Sequence, residues 1–275
     1  MADEAFTAIF VGESDIYHGV TVDSIQEPCP AEEFEEKLEA SLTGWKAAGR
    51  RGIWFKIHLK DAALVPICAK HGFTFHHAQP DYVMMVTWLP TDEPNNLPDY
   101  AHTFIGVGGL VVNEEDQILV LKERFMQKPH WKLPGGLVNE GEGLPQAVER
   151  EVLEETGIHT AFVSVLGFRH LHEFRFGCSD FYFVCLMRPL NDVDGIHTQA
   201  QEIAACRWID LDEYLEMKDV APVNRFVAQA YRRQQELGCG IRSSFITSRA
   251  FHKQNRVYSV MTTDEPSTPT VESLE

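Results

Sequence analysis

Apolar and polar positions alternate along the first part of the chain in a way that predicts a short series of elements. Phe6 to Val11 reads as a strand. From Glu32 to Ala48, Phe34, Leu38, Leu42 and Trp45 recur at helical spacing, and Gly49 or Gly52 punctuates the end. Ile53 to Leu59 alternates as a strand does. Asp61 is placed to cap a second helix that runs to Lys70 and stops at Gly72. Tyr82 to Leu89 is a further strand. These elements make a small mixed α/β unit, assigned to residues 1–97, and the proline-punctuated polar run from Pro90 to Pro98 reads as a linker.

The pattern then restarts. Phe104 to Val112 and Gln117 to Lys122 read as strands joined by a hairpin turn at Asn113 to Asp116. A loop with Pro129, Pro134, Gly135 and Gly136 leads into a helix from about Leu144 to Thr156, which Gly157 stops. Strands are expected near Ala161–Phe168, Asp180–Met187 and Ala205–Ile209. Leu211 to Glu216 reads as a short helix and Arg225 to Leu237 as a longer one. The second domain is placed at 98–240, and 241–275 is read as a tail. Met261 to Glu275, rich in Thr, Ser, Pro and Glu and without Lys or Arg, is expected to be disordered and acidic. The fold class is α+β.

Composition narrows the chemistry. A chain of 275 residues with 44% apolar content can bury a core, yet no run nears the roughly 20 apolar residues of a membrane span. Met1 to Gly12 lacks the zones of a signal peptide, so a soluble, cytoplasmic protein is expected. The formal charge of -17 disfavours nucleic acid and anionic membrane as partners. A small anionic substrate stays compatible with that charge where a cation or a local basic patch offsets it. The scattered Cys29, Cys68, Cys178, Cys185, Cys206 and Cys239 contain no C-x-x-C pair and read as reduced thiols.

The strongest chemical signal lies between Gly136 and Ile158. Glu151, Glu154 and Glu155 stand at i, i+3 and i+4 and so share one side of the helix, the side that also carries Leu144, Ala147 and Val148. Carboxylates gathered toward an interior are costly unless a positive charge compensates them. A divalent cation does so, and hard oxygen donors suit Mg²⁺ or Mn²⁺. The alternative is a solvated charged face, with Arg150 pairing to Glu154. Glu142, near the helix start, reads equally as a capping residue or a metal ligand.

The run G-x5-E-x7-R-E-U-x-E-E-x-G-U, with U aliphatic, is met at every defined position from Gly136 to Ile158. It resembles the signature of the Nudix hydrolases, and its chance occurrence in such a chain is on the order of one in ten million. Gly49–Lys56, Leu64–Phe75, His76-His77-Ala78, Gly106–Gly109, Trp131–Pro134, Glu202-Ile203 and Arg207-Trp208 further resemble the subgroup with an N-terminal extension, known from plant cytosolic enzymes and the animal fibroblast-growth-factor antisense protein. The resemblance implies a Nudix α/β/α sandwich with a mixed sheet, preceded by a small α/β domain like part of an acetyltransferase. It implies that Glu151, Glu154 and Glu155, with the Gly135 carbonyl, hold the metal, and that a diphosphate joined to another moiety is cleaved by water. Glu151 is the first candidate for the general base and Glu202 the second.

Substrate contacts are expected from Arg124, Trp131, Lys132 and Glu202. Trp131 and Phe125 are weighed as stacking rings against a core role, and Lys122, Arg124 and Lys132 as phosphate ligands against solvated surface. Gly106 to Gly109 is read as close packing within a strand, and His76-His77 as structural. The plant relatives imply ADP-ribose and NADH as substrates, with FAD and CoA derivatives as further candidates. The NADH signature S-Q-P-W-P-F-P-x-S and the coenzyme A signature are absent, and His172 stands where some ADP-ribose enzymes carry proline. The rival to an enzyme is a non-catalytic regulator that binds a nucleotide or a protein on the same scaffold. For the N-terminal unit, homodimer formation or shaping of the substrate pocket is preferred to acyl transfer.

Overall fold

The computed structural model describes residues 9–125, 130–190, 195–199, 201–218, 220–248 and 253–262. The chain divides into two compact units, residues 1–101 and 102–275.

The first unit runs β1 (Glu13–Ser14), β2 (Val20–Asp23), α1 (Ala31–Ala47), β3 (Gly52–His58), a 3-10 turn (Leu59–Leu64), α2 (Val65–Lys70), β4 (Thr74–Gln79) and β5 (Tyr82–Trp88). Its sheet has the order β1-β2-β3-β5-β4, with β2 and β3 parallel and the other neighbours antiparallel. The apolar stripe read from the sequence is the face that α1 buries: Phe34, Leu38 and Trp45 pack with Phe10, Val22 and Phe55. Rings of Phe10 and Phe34 stand edge-on to Phe55 at centroid distances of 5.3 and 5.2 Å, favourable quadrupole geometry for a dry core.

Three expectations change here. Ile9 to Val11 carries no strand, and residues 6–8 of that assignment lie outside the described residues. The short strands β1 and β2 and the strand β4 were not foreseen. Asp61 does not cap α2. It lies inside the 3-10 turn, where its carboxylate accepts the Ser24 hydroxyl at 2.7 Å and ties the turn to the end of β2. His76 and His77 act structurally: His76 Nε2 donates to the Pro98 carbonyl at 2.9 Å, and His77 stacks on Tyr100 at 4.7 Å, which fastens the proline-rich segment to β4.

The second unit contains β6 (Thr103–Val111), β7 (Gln117–Glu123), β8 (Gly135–Leu137), α3 (Leu144–Thr156), β9 (Thr160–Leu171), β10 (Ser179–Pro189), β11 (Ile203–Asp210), α4 (Leu211–Glu216), α5 (Pro222–Leu237), β12 (Cys239–Ser248) and β13 (Lys253–Thr262). Six strands form a mixed sheet in the order β13-β12-β9-β10-β6-β8, in which only β6 and β10 run parallel. Strands β7 and β11 make a separate antiparallel pair. The turn at Asn113 to Asp116 forms as expected, with Asn113 N–H donating to Gln117 O at 3.0 Å, but the strands it joins diverge into different sheets after one bridge, Val112 to Ile118.

One face of the large sheet packs on α3 through Val107, Val111, Cys185 and Met187 against Val148 and Val152. The other packs through Leu110, Val184 and Leu186 on a layer that holds Trp131, Tyr214, Val227 and Tyr231. The result is an α/β/α sandwich with a mixed sheet. Residues 239–262, placed largely in a tail by the sequence reading, form a hairpin that extends the sheet beside β9. Its alternation is weak because Arg242, Ser243, Ser244 and Arg256 interrupt the apolar positions. Residues 263–275, where disorder was expected, lie outside the described residues. Among the described residues no helix is long and apolar enough to cross a membrane. All six cysteines are free, and Cys68 and Cys185 are buried.

Glycines in β6 bring the layers close. A Cβ on Gly109 would lie 2.8 Å from Val152 Cγ2 and 3.3 Å from Val148 Cγ2, so α3 rests on bare backbone there. On the opposite face the Tyr182 ring and hydroxyl occupy the space over Gly106 and Gly108. Gly109→Val is therefore expected to overpack the α3 interface and lower stability by about 1–3 kcal/mol, read as a fall in the melting temperature; an unchanged temperature would contradict the packing described.

Candidate active site

Helix α3 starts after Gly143 with Pro145 in its first turn, where a missing N–H costs nothing. It ends at Gly157, whose φ of +76° lets its N–H reach Leu153 O at 2.8 Å and turns the chain toward β9. Between these stops the three glutamates diverge in environment. Glu155 is buried, Glu151 is half-buried, and the Glu154 side chain is 56% exposed.

Edge strand β8 supplies the opposing wall. Glu155 Oε2 accepts the Gly135 N–H at 2.7 Å. Burial pushes the Glu155 carboxyl up to about 7, although the Lys132 ammonium and the Gly135 N–H both pull it down. Lys132 sits 3.8 Å from Glu155 and makes a close ion pair with Glu123 at the end of β7. Glu151 lies directly over Gly136: a Cβ on that glycine would fall 2.5 Å from Glu151 Oε2. Gly135 adopts φ +154°, and a Cβ there would meet Val107 O at 2.1 Å. Only two glycines let the chain pass this close to the carboxylates.

Arg150 binds the outer side. Its Nε and Nη2 donate to the two Glu142 oxygens at 2.9 and 2.8 Å, Nη1 donates to Glu151 at 2.7 Å and to Glu154 at 3.4 Å, and Nη2 also reaches Leu137 O at 3.0 Å. This guanidinium holds the Glu142 carboxyl below its ordinary range, and Glu142 in turn accepts the Asn139 N–H at 3.0 Å.

Other candidate residues lie elsewhere. Trp131 is only 9% exposed, with Lys122 Nζ and Arg207 Cζ over its ring at 4.5 and 4.7 Å, so it serves the core and two cations. Lys132 is committed to Glu123 and Glu155 and is not a solvated surface cation. Arg124 donates its backbone N–H to Glu202 O at 2.7 Å, which joins the ends of β7 and β11, and both side chains are exposed. Among the described residues neither bonds a box glutamate. Sequence reasoning missed Glu123 and Tyr182. Glu123 gave no signal beyond ending a strand; Tyr182 was detectable only through the glycines that make room for it.

The site's donor set is all oxygen: three carboxylates, Glu123 beside them, and a glycine backbone with no side chain between it and Glu151. That set and that cradle fit a hard divalent cation. Among the described residues, however, the acidic and histidine side chains that gather in a group of three with ligand atoms mutually within 4.8 Å are Glu35, Glu39 and His71 in the first unit, a cluster that Lys70 also neutralises. The box carboxylates are spread wider than the sequence expectation of a single crowded face, because Arg150 and Lys132 draw them to separate partners.

Two family models match the chain. One, described as a Nudix hydrolase domain, covers residues 10–89, and one, described as a NUDIX domain, covers residues 102–230. Nudix hydrolase 7 of Arabidopsis thaliana is 41% identical over 210 residues, which is 74% of this chain and 73% of that protein. The chain belongs to the Nudix hydrolase family. Nudix hydrolase 8 of the same plant is 42% identical over 74% of this chain, which spans 55% of that relative's length. The human nucleoside diphosphate-linked moiety X motif 6 is 34% identical over 79% of this chain and 70% of its own. These matches place the Nudix chain in the subgroup with an N-terminal extension. Among solved structures, a MutT protein from Methanosarcina mazei Go1 is 25% identical over 50% of this chain and 98% of its own, with a TM-score of 0.41. A NUDIX hydrolase from Nitrosomonas europaea is 18% identical over 60% and 88%, with a TM-score of 0.44.

The seat of Glu151 on Gly136 yields a test. Gly136→Ala is expected to keep the fold, because the added methyl meets a side-chain end, yet to cut hydrolysis on the order of a hundredfold by displacing Glu151. Rates within error of wild type would show that Glu151 need not occupy that seat.

Proposed function

We propose that this Nudix chain is a metal-dependent pyrophosphohydrolase that cleaves the diphosphate bond of nucleoside-diphosphate-linked metabolites, of the ADP-ribose, NADH, FAD or CoA type. The observation that carries the reading is the union of Glu155 with the Gly135 N–H and of Glu151 with the bare Gly136 backbone, within an unbroken family signature. The names of the relatives, Nudix hydrolases and a nucleoside diphosphate-linked moiety X motif protein, agree with that bond and that substrate class.

In this reading Glu151, Glu154 and Glu155 hold Mg²⁺ or Mn²⁺ with the Gly135 carbonyl, and the cation when bound would withdraw charge from the phosphoryl oxygens as the bond breaks. Arg150 fixes Glu151 through its Nη1 and leaves the second carboxylate oxygen to accept the proton of the attacking water. Lys132 balances Glu123 and Glu155, so the inner end of the site stays compact when its carboxylates are ionised. Exposed Arg124 and Glu202, joined at the ends of β7 and β11, are proposed to meet the substrate. Trp131 has no part in it, being enclosed by the core.

The test is a panel of ADP-ribose, NADH, FAD and CoA with Mg²⁺ or Mn²⁺, the products identified by mass. At least one should yield the two monophosphate products of diphosphate cleavage. Chelation should abolish the reaction and added Mg²⁺ restore it. Glu154→Gln, at an exposed position that leaves the fold intact, should lower kcat by about a hundredfold or more. A fully active Glu154→Gln protein would remove the assigned site; a wild-type protein inert on every substrate that still binds them would favour the regulator.

A further inference from the structure

Strand β4 carries His76 and His77 side by side, and the two rings meet: their Nδ1 atoms lie 2.7 Å apart. Neighbours in a regular strand point to opposite faces. Here the register with β5 slips between Phe75 and His77, so His76 is the extra residue of a bulge, which re-aims its ring toward its neighbour's. The remaining ring atoms are engaged as well. His76 Nε2 lies 2.9 Å from the Pro98 carbonyl oxygen, His77 Nε2 lies 3.2 Å from the Tyr82 hydroxyl, and the His77 ring stacks on Tyr100 at 4.7 Å and 10°.

These contacts fix where the protons sit. A carbonyl can only accept, so His76 Nε2 carries hydrogen and the neutral ring presents a bare Nδ1. His77 Nδ1 then donates to it, and the bare His77 Nε2 accepts from Tyr82. With both rings neutral, every donor has an acceptor. One added proton can still be shared: His76 Nδ1–H donates to His77 in its other tautomer, whose Nε2–H turns to the Tyr82 oxygen. A second proton cannot, because it sets N–H against N–H and charge against charge across the same short gap.

The surroundings offer that second charge no partner. Among the described residues no carboxylate makes an ion pair with either ring, Asp99 of the segment itself included. On the neighbouring strands Asp23 is engaged by Lys56 and His58, and Asp81 faces His58 at 4.0 Å. The Lys56 ammonium stands over the Tyr82 ring at 4.7 Å and opposes a further cation, while Trp54, edge-on to His76 at 4.9 Å, is uncharged.

We infer that the His76–His77 pair is a proton-operated latch: it holds the Pro98–Tyr100 segment on β4 while the pair carries at most one added proton, and lets the segment go when it carries two. Arg51 grips both Glu93 oxygens, and Leu97 lies over Gly52, so the latch frees one end only. Asn96, Leu97 and Pro98 also wall a cavity of about 540 Å³ that Trp54 and Trp88 line from the sheet, so the latch governs one side of that cavity. Burial, and then the charge of His76, hold the His77 ring below the ordinary histidine value of about 6.5. The latched form therefore takes its second proton less readily than the released one. Attachment is complete above that ordinary value and weakens as pH falls below it.

The experiment is an NMR titration of the full chain from about pH 8 to about pH 5, across the histidine range, with histidine and tyrosine rings labelled, on wild type, His77→Phe and His76→Gln. His77→Phe keeps a flat ring against Tyr100 and takes no proton. In wild type the two imidazoles should titrate in separate steps, the second below the ordinary value, and the Tyr100 ring signals should move to the position of an unstacked tyrosine with that second step. In His77→Phe the Tyr100 signals should stay in place throughout and His76 should titrate in one step. Wild-type Tyr100 signals that hold still over the whole range would overturn the proposal, as would the same movement in His77→Phe. So would movement that coincides with general unfolding of the first unit. Should His77→Phe not fold, His76→Gln, whose amide can still donate to the Pro98 carbonyl, is read by the same two outcomes.

Discussion

A single guanidinium, that of Arg150, makes the acidic end of the second unit tenable. Glu142, Glu151 and Glu154 all fall within reach of it, along with the Leu137 carbonyl. In a chain with a formal charge of -17, few cations stand against this many anions. Like charges one turn apart cost only about 0.2–0.5 kcal/mol in a solvated helix. Removing the partner of a fully buried charge costs about 3–5 kcal/mol, and the half-buried Glu142 and Glu151 fall between these two limits. A flat fork of five donors can serve several carboxylates at once; a lysine at 150 could neutralise but not orient them.

Deeper in, the compensation changes kind. Glu155 is shared between a backbone N–H and Lys132, and burial leaves its carboxyl far more ready to hold a proton than a surface glutamate. Lys132 also binds Glu123 at the end of β7, so one ammonium group joins the two-stranded β7–β11 pair to α3. The fold therefore does more than carry the site. The inner carboxylate is one of the links between its layers.

Much of this was legible in the sequence, and unevenly so. α3 was readable to the residue because Gly157, Pro145 and the apolar positions Ala147, Val148 and Val152 each report locally on helix geometry. Gly106 to Gly109 was readable as close packing because glycine in a strand has few other uses. Strand β4 was not, since its Thr74 to Gln79 pattern is polar on both faces, and β8 is three residues of mostly glycine. The hairpin at 239–262 escaped because arginines and serines hide its period. Trp131 illustrates the other limit: a ring beside a glycine loop looks accessible in sequence, and only the layers of the fold show that core residues and two cations enclose it.

Gly136 and Glu151 occupy what is in effect one residue's worth of room, divided so that the first has no side chain and the second has its full length. Positions fifteen apart in the chain are thus bound by a conservation of volume. A methyl gained on the strand is taken up by a swing of the carboxylate on the helix, so a drift to alanine there spares the scaffold and is felt only where the displaced oxygens were needed.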